Sequence, residues 1–138
     1  MRPLIRPLIL GSTIVSALGC GGAVLASLDG TIVTGAWNGP NLSMTLDDRG
    51  GTTEYDCAHG GLSAPMIVDA TGAFKVVGVH VREHGGPIRV DEVPDSLAAT
   101  YIGRWTGDAI TMRVLVGADT LGPFALKRDA APRLMKCL

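Results

Sequence analysis

The sequence predicts an all-β fold: a small antiparallel meander of about eight strands that closes, or nearly closes, into a barrel, with a β-sandwich as the alternative. The 138 residues include 19 Gly and 8 Pro, and no long apolar stripe with helical spacing follows the apolar start of the chain. Short runs of Val, Ile, Thr and Leu alternate with turn residues instead. A chain of this length has room for one core, so we expect one domain at residues 31–138.

A segment that occurs twice supports closure into a barrel. Residues 35–46 align without a gap with residues 103–114, and both copies place Gly, Trp, Gly and Met at equal positions. The only two Trp of the chain belong to these copies. A strand can bend at a Gly while a nearby Trp ring fills the end of a barrel. We therefore expect a core signature made of Trp37, Met44, Trp105 and Met112.

The individual strands are predicted from alternating apolar residues that are bounded by turn residues. In chain order they cover residues 33–37, 41–46, 52–57, 64–69, 73–82, 98–105, 110–116 and 123–127. The pair Asn38-Gly39 indicates the first turn, and Pro40 is expected to make it longer than two residues. His80 lies on the Val-rich fifth strand, which we expect to be central, and is predicted to be a surface or rim residue.

The start of the chain has the features of a secretory signal peptide. Arg2 and Arg6 provide a positive beginning, and residues 7–18 are uncharged and mostly apolar. The run is too short for a transmembrane span and ends in small residues, as signal peptides do. We expect a signal peptide at residues 1–19 and therefore an exported protein.

Residues 16–20, Ser-Ala-Leu-Gly-Cys, resemble the lipobox of bacterial lipoproteins. This resemblance implies a lipid anchor on Cys20 and a periplasmic or cell-surface location, with residues 20–30 as a flexible tether to the membrane. The alternative is cleavage after Ala26, which would release a soluble secreted protein.

The three cysteines fit an exported protein, in which an odd number leaves one thiol to be explained. If Cys20 carries a lipid, Cys57 and Cys137 remain as a pair. An oxidising periplasm or cell surface would allow their disulfide, which would fix the C-terminus to the domain. A free, buried Cys137 is the alternative.

The charge balance excludes a nucleic-acid-binding function. Arg2 and Arg6 lie in the predicted signal peptide, so 10 of the 12 Lys and Arg and all 13 Asp and Glu remain, a net charge of −3. Nucleic-acid binding needs a clustered basic face, and few aromatic residues are available to stack on bases. We expect a monomer.

Two segments between the copies form the candidate binding surface, which we expect to contact an envelope protein. Residues 82–97 show no strand or helix pattern, and a loop of about 15 residues in a compact domain is usually functional or disordered. Residues 54–61 surround Cys57 with polar groups and two glycines. All three His lie within or between these segments. The predicted binding residues are His59, Arg82, Glu83, His84 and Arg89.

No pattern of residues selects a catalytic or metal site. Ser63 lacks the second Gly of a nucleophile elbow. His59 and His84, with Glu83 or Asp56, would have to come together from separate segments to bind zinc. We therefore predict no catalytic residue, metal or cofactor. A hydrophobic-ligand carrier of lipocalin type, lined by the Trp and Met residues, is the alternative function, and a metal-dependent enzyme is less favoured.

Three short motifs carry a resemblance: Tyr-Asp-Cys-Ala-His-Gly at residues 55–60, Val-Arg-Glu-His-Gly-Gly-Pro at residues 81–87, and the C-terminal Lys-Cys-Leu. Together they resemble a group of uncharacterised small exported bacterial proteins, some of them lipoproteins, and imply no activity. A lipobox followed by a disulfide-tied β-barrel is also similar to the periplasmic lysozyme-inhibitor lipoproteins. That similarity concerns architecture alone, and fold does not imply function.

Overall fold

The computed structural model describes residues 29–138. The predicted signal peptide, Cys20, the alternative cleavage site at Ala26 and most of the tether lie outside the described residues. Among residues 29–138, there is no helix that is both long and apolar enough to cross a membrane.

Ten strands form the described part of the chain. They are β1 (Thr31–Ile32), β2 (Gly35–Gly39), β3 (Leu42–Leu46), β4 (Gly51–Tyr55), β5 (Ala58–Leu62), β6 (Ile67–Val68), β7 (Ala73–Arg82), β8 (Asp95–Trp105), β9 (Ala109–Val116) and β10 (Asp119–Arg128). Eight of them close an antiparallel barrel in the order β10-β2-β3-β4-β5-β7-β8-β9, and β1 pairs with β6 in a separate ribbon. The predicted eight-stranded barrel is thus confirmed.

The up-and-down connections give the barrel two distinct ends. The upper end carries the turns at residues 40–41, 56–57 and 117–118 and the loop at residues 83–94. The lower end carries the turns at residues 47–50 and 106–108 and the β1–β6 ribbon. The ribbon and the residues beside it pack apolar side chains into the core and cap the lower end: Val33, Met66 and Val68 are all at most 2% exposed.

The barrel interior is filled by alternate residues of each strand, as the two-residue period requires. On β9, Ile110, Met112, Val114 and Val116 point inward, and the residues between them point to solvent. On β7, Val77 and Val79 are 60% and 41% exposed. Each strand of a closed barrel has one face toward the core and one toward solvent, so β7 is not buried on both faces. The expectation that β7 is central was therefore wrong.

The two copies of the duplicated segment form the hairpins β2–β3 and β8–β9 with different registers. Trp37 lies opposite Met44, whereas Trp105 lies opposite Ile110 and Met112 lies opposite Gly103. Trp37, Met44 and Met112 are at most 1% exposed, and Trp105 is half-buried. Both Trp lie toward the lower end of the barrel. Trp37 is opposite Arg128 on β10. The backbone N–H of Arg128 donates to the carbonyl of Asp108, which belongs to the lower turn that follows Trp105.

One predicted barrel strand does not exist, and one barrel strand was not predicted. Residues 64–69 form no barrel strand, because only the short β6 lies there and it pairs with β1. The barrel strand that the prediction missed is β5, in which Gly60 and Gly61 resemble a turn in the sequence. Gly60 is needed for a different reason: a Cβ there would lie 2.2 Å from the carbonyl oxygen of Val79 on β7.

Two local predictions were also wrong. Gly39 pairs with Leu42, so the first turn consists of the two residues Pro40 and Asn41 only. Asn41 has a positive φ of 68° and follows Pro40. This is the arrangement of a type II turn, in which Pro commonly occupies the second position and a residue with positive φ the third. His80 is 6% exposed and points into the barrel, because it shares the inward face of β7 with Val76.

The barrel closes through a short seam between β10 and β2. The two strands pair only at Lys127 with Asn38 and at Arg128 with Trp37. Above the seam, β10 pairs with β9 alone among the described strands, and its register shifts between Leu121 and Phe124. Pro123, within this bulge, has no N–H to offer to another strand, which protects the free edge against further pairing.

Candidate functional site

The C-terminal segment, residues 129–138, is fixed to the upper end. The predicted disulfide between Cys57 and Cys137 is confirmed, with a Cα–Cα distance of 5.2 Å. Asp56 holds the same segment by accepting the N–H of Met135 (2.9 Å) on Oδ1 and the side-chain amide of Asn41 (2.6 Å) on Oδ2. The Asn41 bond and then the Met135 bond lower the pKa of Asp56. Asp56 therefore has a structural role.

A cluster of charged side chains lies beside the disulfide. Glu83 bonds through Oε1 to His59 Nδ1 at 2.7 Å. Lys136 donates from Nζ to Glu54 at 2.8 Å and to both oxygens of Glu83 at 3.4 Å. The hydrogen bond from His59, followed by the charge of Lys136, lowers the pKa of Glu83. This cluster joins β4, β5, the loop and the C-terminal segment.

The long loop is closed on itself by His84 and Glu92. His84 Nε2 bonds to Glu92 Oε1, and His84 Nδ1 bonds to the carbonyl oxygen of Gly85 at 3.0 Å. Both partners are acceptors, so the two bonds form together only when both ring nitrogens carry hydrogen, that is, when the imidazole is protonated. The carbonyl of Gly85 and then Glu92 raise the pKa of His84. Glu92 also accepts the N–H of Arg89 at 3.2 Å.

The hydrogen bonds that close the loop should weaken at both high and low pH. The pKa of His84 is raised, so its contribution is present at low pH and is lost as the pH rises through the folded pKa. The pKa of Glu92 is lowered by His84, so its contribution is lost as the pH falls through its folded pKa. We expect amide hydrogen exchange in residues 85–92 to be most strongly protected between the folded pKa of Glu92 and the folded pKa of His84.

An NMR titration with two carboxylate variants checks this expectation. Glu92→Gln should lower the pKa of His84 and speed amide exchange in the loop. Asp91→Asn is the matched control, because Asp91 is exposed and pairs with Arg89 at 3.9 Å rather than with His84. Equal effects of the two substitutions on His84 would contradict the specific pairing with Glu92.

The remaining predicted binding residues are in exposed ion pairs. Arg82 lies 3.9 Å from Asp95 and 3.5 Å from Asp119, and Arg89 pairs with Asp91. Pairs of this kind contribute only about 0–1 kcal/mol each. The structure thus places all five predicted binding residues at the upper end, but in separate ion pairs and not in one cluster.

Sequence reasoning missed the apolar residues of the upper end. Ile88, Val90 and Val93 in the loop are 81%, 109% and 86% exposed. Met135 and Leu138 in the C-terminal segment are 81% and 105% exposed. The two segments meet, because a Cβ on Gly85 would lie 2.2 Å from the carbonyl oxygen of Leu138. The available signal was a series of apolar residues in a loop with no strand pattern to bury them.

Polar side chains also lie inside the upper part of the barrel. Thr53 Oγ1 and Tyr101 Oη are 3.2 Å apart, and Tyr101 Oη donates to the carbonyl of Val79 at 2.9 Å. Tyr55 and His80 are 5% and 6% exposed, with ring centroids 4.8 Å apart in an edge-to-face contact. Tyr55 Oη and His80 Nδ1 have no hydrogen-bond partner among the described residues.

The described residues contain no group of three or more His, Cys, Asp or Glu side chains that could hold a metal ion. His59 and His84 instead bond to different carboxylates, those of Glu83 and Glu92. Comparison of the chain with protein-family models, with curated proteins and with solved structures gives no match.

Proposed function

We propose that the protein is a non-enzymatic binding protein of the bacterial envelope, exported by the signal peptide and anchored through a lipid on Cys20. Its upper end would contact a partner protein. The β-barrel is compatible with a binding protein or a carrier. Membership of the group of small exported proteins that share the three motifs is part of this proposal.

The exposed apolar residues of the upper end carry the proposal. Soluble monomers rarely expose grouped apolar side chains without a functional reason. Here Ile88, Val90 and Val93 lie on one segment, and Met135 and Leu138 on a second that meets it. The lower end exposes less apolar surface, because Ile32 and Ile67 of its ribbon are 45% and 49% exposed while Val33, Met66 and Val68 are buried in the core. A partner that covers the upper end would remove this apolar surface from water.

The contacts that hold the loop and the C-terminal segment in place favour binding of a partner to a surface that is already ordered. The disulfide, the Lys136 cluster and the His84–Glu92 pair all act on these two segments. Holding a surface in its bound shape reduces the entropy that is lost on association. Residues 82–97 contain four carboxylates, two arginines and His84, so basic residues around an apolar patch would suit the partner.

Site-specific photo-crosslinking in envelopes tests the contact. A crosslinker at Val90 should give one dominant product, which mass spectrometry identifies and which Ile88→Ser with Val93→Ser removes. Ile67 is the matched control, since it is apolar and 49% exposed but lies at the lower end. Products of the same pattern from both positions, or no product from Val90, would contradict the proposal.

The anchor is tested separately by the mass of the mature protein. A lipidated Cys20 at the new N-terminus is the expected result, and Cys20→Ser should move the protein to the soluble fraction. A mature chain that starts at Ser27 would overturn the anchor and leave simple secretion.

A hydrophobic-ligand carrier is the less supported alternative. Trp37, Met44, Tyr101, Met112 and Leu126 are each at most 1% exposed, so large side chains occupy the middle and lower parts of the barrel interior and leave no room there for a large ligand. Two grooves of about 370 Å³ each are open to the surface: one follows the β6–β7 region, and the other lies beside Pro123.

A further inference from the structure

The polar side chains inside the barrel can be assigned donors and acceptors one by one. Tyr101 donates its only hydroxyl hydrogen to the carbonyl of Val79, so Thr53 must donate its own to Tyr101. This pair is therefore satisfied. Burial chiefly raises the pKa of Tyr55, and its hydroxyl is close enough to Tyr101 and Thr53 for both to affect this pKa through weak hydrogen bonding. It meets the full distance and angle requirements of a hydrogen bond with neither residue.

Tyr55 Oη and His80 Nδ1 remain as adjacent unpaired groups. Each side chain is more than nine-tenths buried. A buried polar group that has lost water without gaining a partner destabilises the folded state. The other two such atoms among the described residues, Ser43 Oγ on β3 and Trp105 Nε1 near the lower end, belong to residues that are distant from one another along the barrel. Only Tyr55 and His80 combine two unpaired groups with a direct ring contact.

The neighbours of this pair include two half-buried apolar side chains. Leu97 lies opposite His80 on β8 and is half-buried. Phe124 on β10, also half-buried, has its ring centroid 5.9 Å from that of Tyr55 in an edge-to-face contact. Phe124 lies above the short β10–β2 seam, where β10 has no second strand partner among the described residues. Phe124 is thus a half-buried side chain that lies directly against Tyr55 on the β10 side of the barrel.

We propose that Tyr55 and His80 form a binding site for a small, mostly apolar molecule that carries one hydroxyl or carboxyl group. The Tyr55 hydroxyl donates to the oxygen of this group, and His80 Nδ1 accepts its hydrogen. The apolar part lies between Leu97 and Phe124. Movement of the Phe124 ring away from Tyr55 opens the path, and no strand pairing has to break.

The state of His80 agrees with this assignment. Burial, followed by the charges of Arg82 and His59, lowers the pKa of His80. A neutral imidazole keeps a lone pair on one ring nitrogen, which an alcohol or a protonated acid can use. Asp95 is the charged group that acts in the opposite direction.

Three probes of similar length test the site: hexanol, hexanoic acid and 1-chlorohexane. Long-range proton–nitrogen NMR of the His80 ring reports the hydrogen bond, and calorimetry gives the affinity. We expect hexanol, or hexanoic acid at a pH below its own pKa, to shift the His80 nitrogen signals and to bind at least about fivefold more tightly than 1-chlorohexane, which cannot donate a hydrogen. Unchanged His80 signals at saturating hexanol and hexanoic acid, or equal affinity for all three probes, would overturn the proposal.

Variants separate recognition from folding. Tyr55→Phe and His80→Phe should each weaken hexanol binding by roughly tenfold. Ser43→Ala is the matched control, because it also removes a buried, unpaired hydroxyl but on β3, and its binding should equal that of the unchanged protein. Without ligand, Tyr55→Phe should have an equal or higher Tm, which shows that the fold is intact. Undiminished binding by Tyr55→Phe would refute the site.

The outcome is independent of the proposed partner at the upper end. Ile88→Ser with Val93→Ser should abolish the crosslink at Val90 and leave hexanol binding unchanged. Failure of either experiment can thus be recognised without the other.

Discussion

Replacing both Cys57 and Cys137 by Ser should lower the free energy of unfolding by about 3–4 kcal/mol. The bond closes a loop with a sequence separation of 80, so its loss restores much conformational freedom to the unfolded chain. It also releases a segment whose other contacts are exposed: Lys136 is 41% exposed in its ion pairs, and Met135 is 81% exposed. Urea denaturation followed by far-ultraviolet circular dichroism measures the change.

Reduction of the unchanged protein is the first control and should reproduce the loss. Lys136→Met is the second, because it removes the ion pairs with Glu54 and Glu83 and leaves the disulfide. Its cost should be below about 1 kcal/mol, as for exposed pairs. A double Ser variant as stable as the unchanged protein would show that the non-covalent contacts of the segment suffice.

Trp37→Ala should lower the free energy of unfolding by about 3–5 kcal/mol. The side chain is 0% exposed, and its Nε1 donates to the carbonyl of Thr34 at 3.1 Å. The guanidinium of Arg128 lies 4.4 Å from the ring centroid and adds a cation–π contact. Substitution by Ala leaves a cavity and removes both contacts.

Trp105→Ala is the matched variant, because Trp105 has the equivalent place in the second copy. It is half-buried, and its buried Nε1 has no partner among the described residues. Its replacement should cost less than about 3 kcal/mol. Equal losses at Trp37 and Trp105 would mean that the copies contribute alike despite their different registers.

The fold class could be predicted because its signals are local. Alternation of apolar and polar residues defines β3 and β9. The same period puts His80 on one face of β7 with Val76, but the expectation that a polar side chain there lies at the surface was wrong. The pair Cys57 and Cys137 was expected on the condition that Cys20 carries a lipid, because these two thiols then remain. These features depend on spacing along the chain, which a sequence states directly.

The errors arose where neighbouring strands decide the outcome. Gly60 and Gly61 weaken a strand in isolation, but the carbonyl of Val79 leaves no room for a side chain at Gly60. The similar sequences of the two copies could not reveal their different registers: Gly39 pairs with Leu42, whereas Trp105 pairs with Ile110. Register follows from the position of each turn within the closed barrel.

The sequence predicted which charged residues lie in the candidate site, but it did not predict the exposed apolar residues beside them. The charged residues of the long loop are at the upper end, as expected from their common loop. The exposure of Ile88, Val90 and Val93 could not be predicted, because it depends on the absence of covering residues in the fold. The unpaired groups of Tyr55 and His80 likewise come from strands β4 and β7, which only the barrel brings together.

The short β10–β2 seam has a consequence for how the chain folds. It joins Asn38 to Lys127, near the two ends of the described domain, and contacts of such large separation form late because chain entropy opposes them. The disulfide joins Cys57 to Cys137 across nearly the same span. Oxidation can therefore hold the ends near each other before the seam forms. A chain that emerges from its N-terminus cannot complete the wall until its last strand is available, and until then β2 has one free edge.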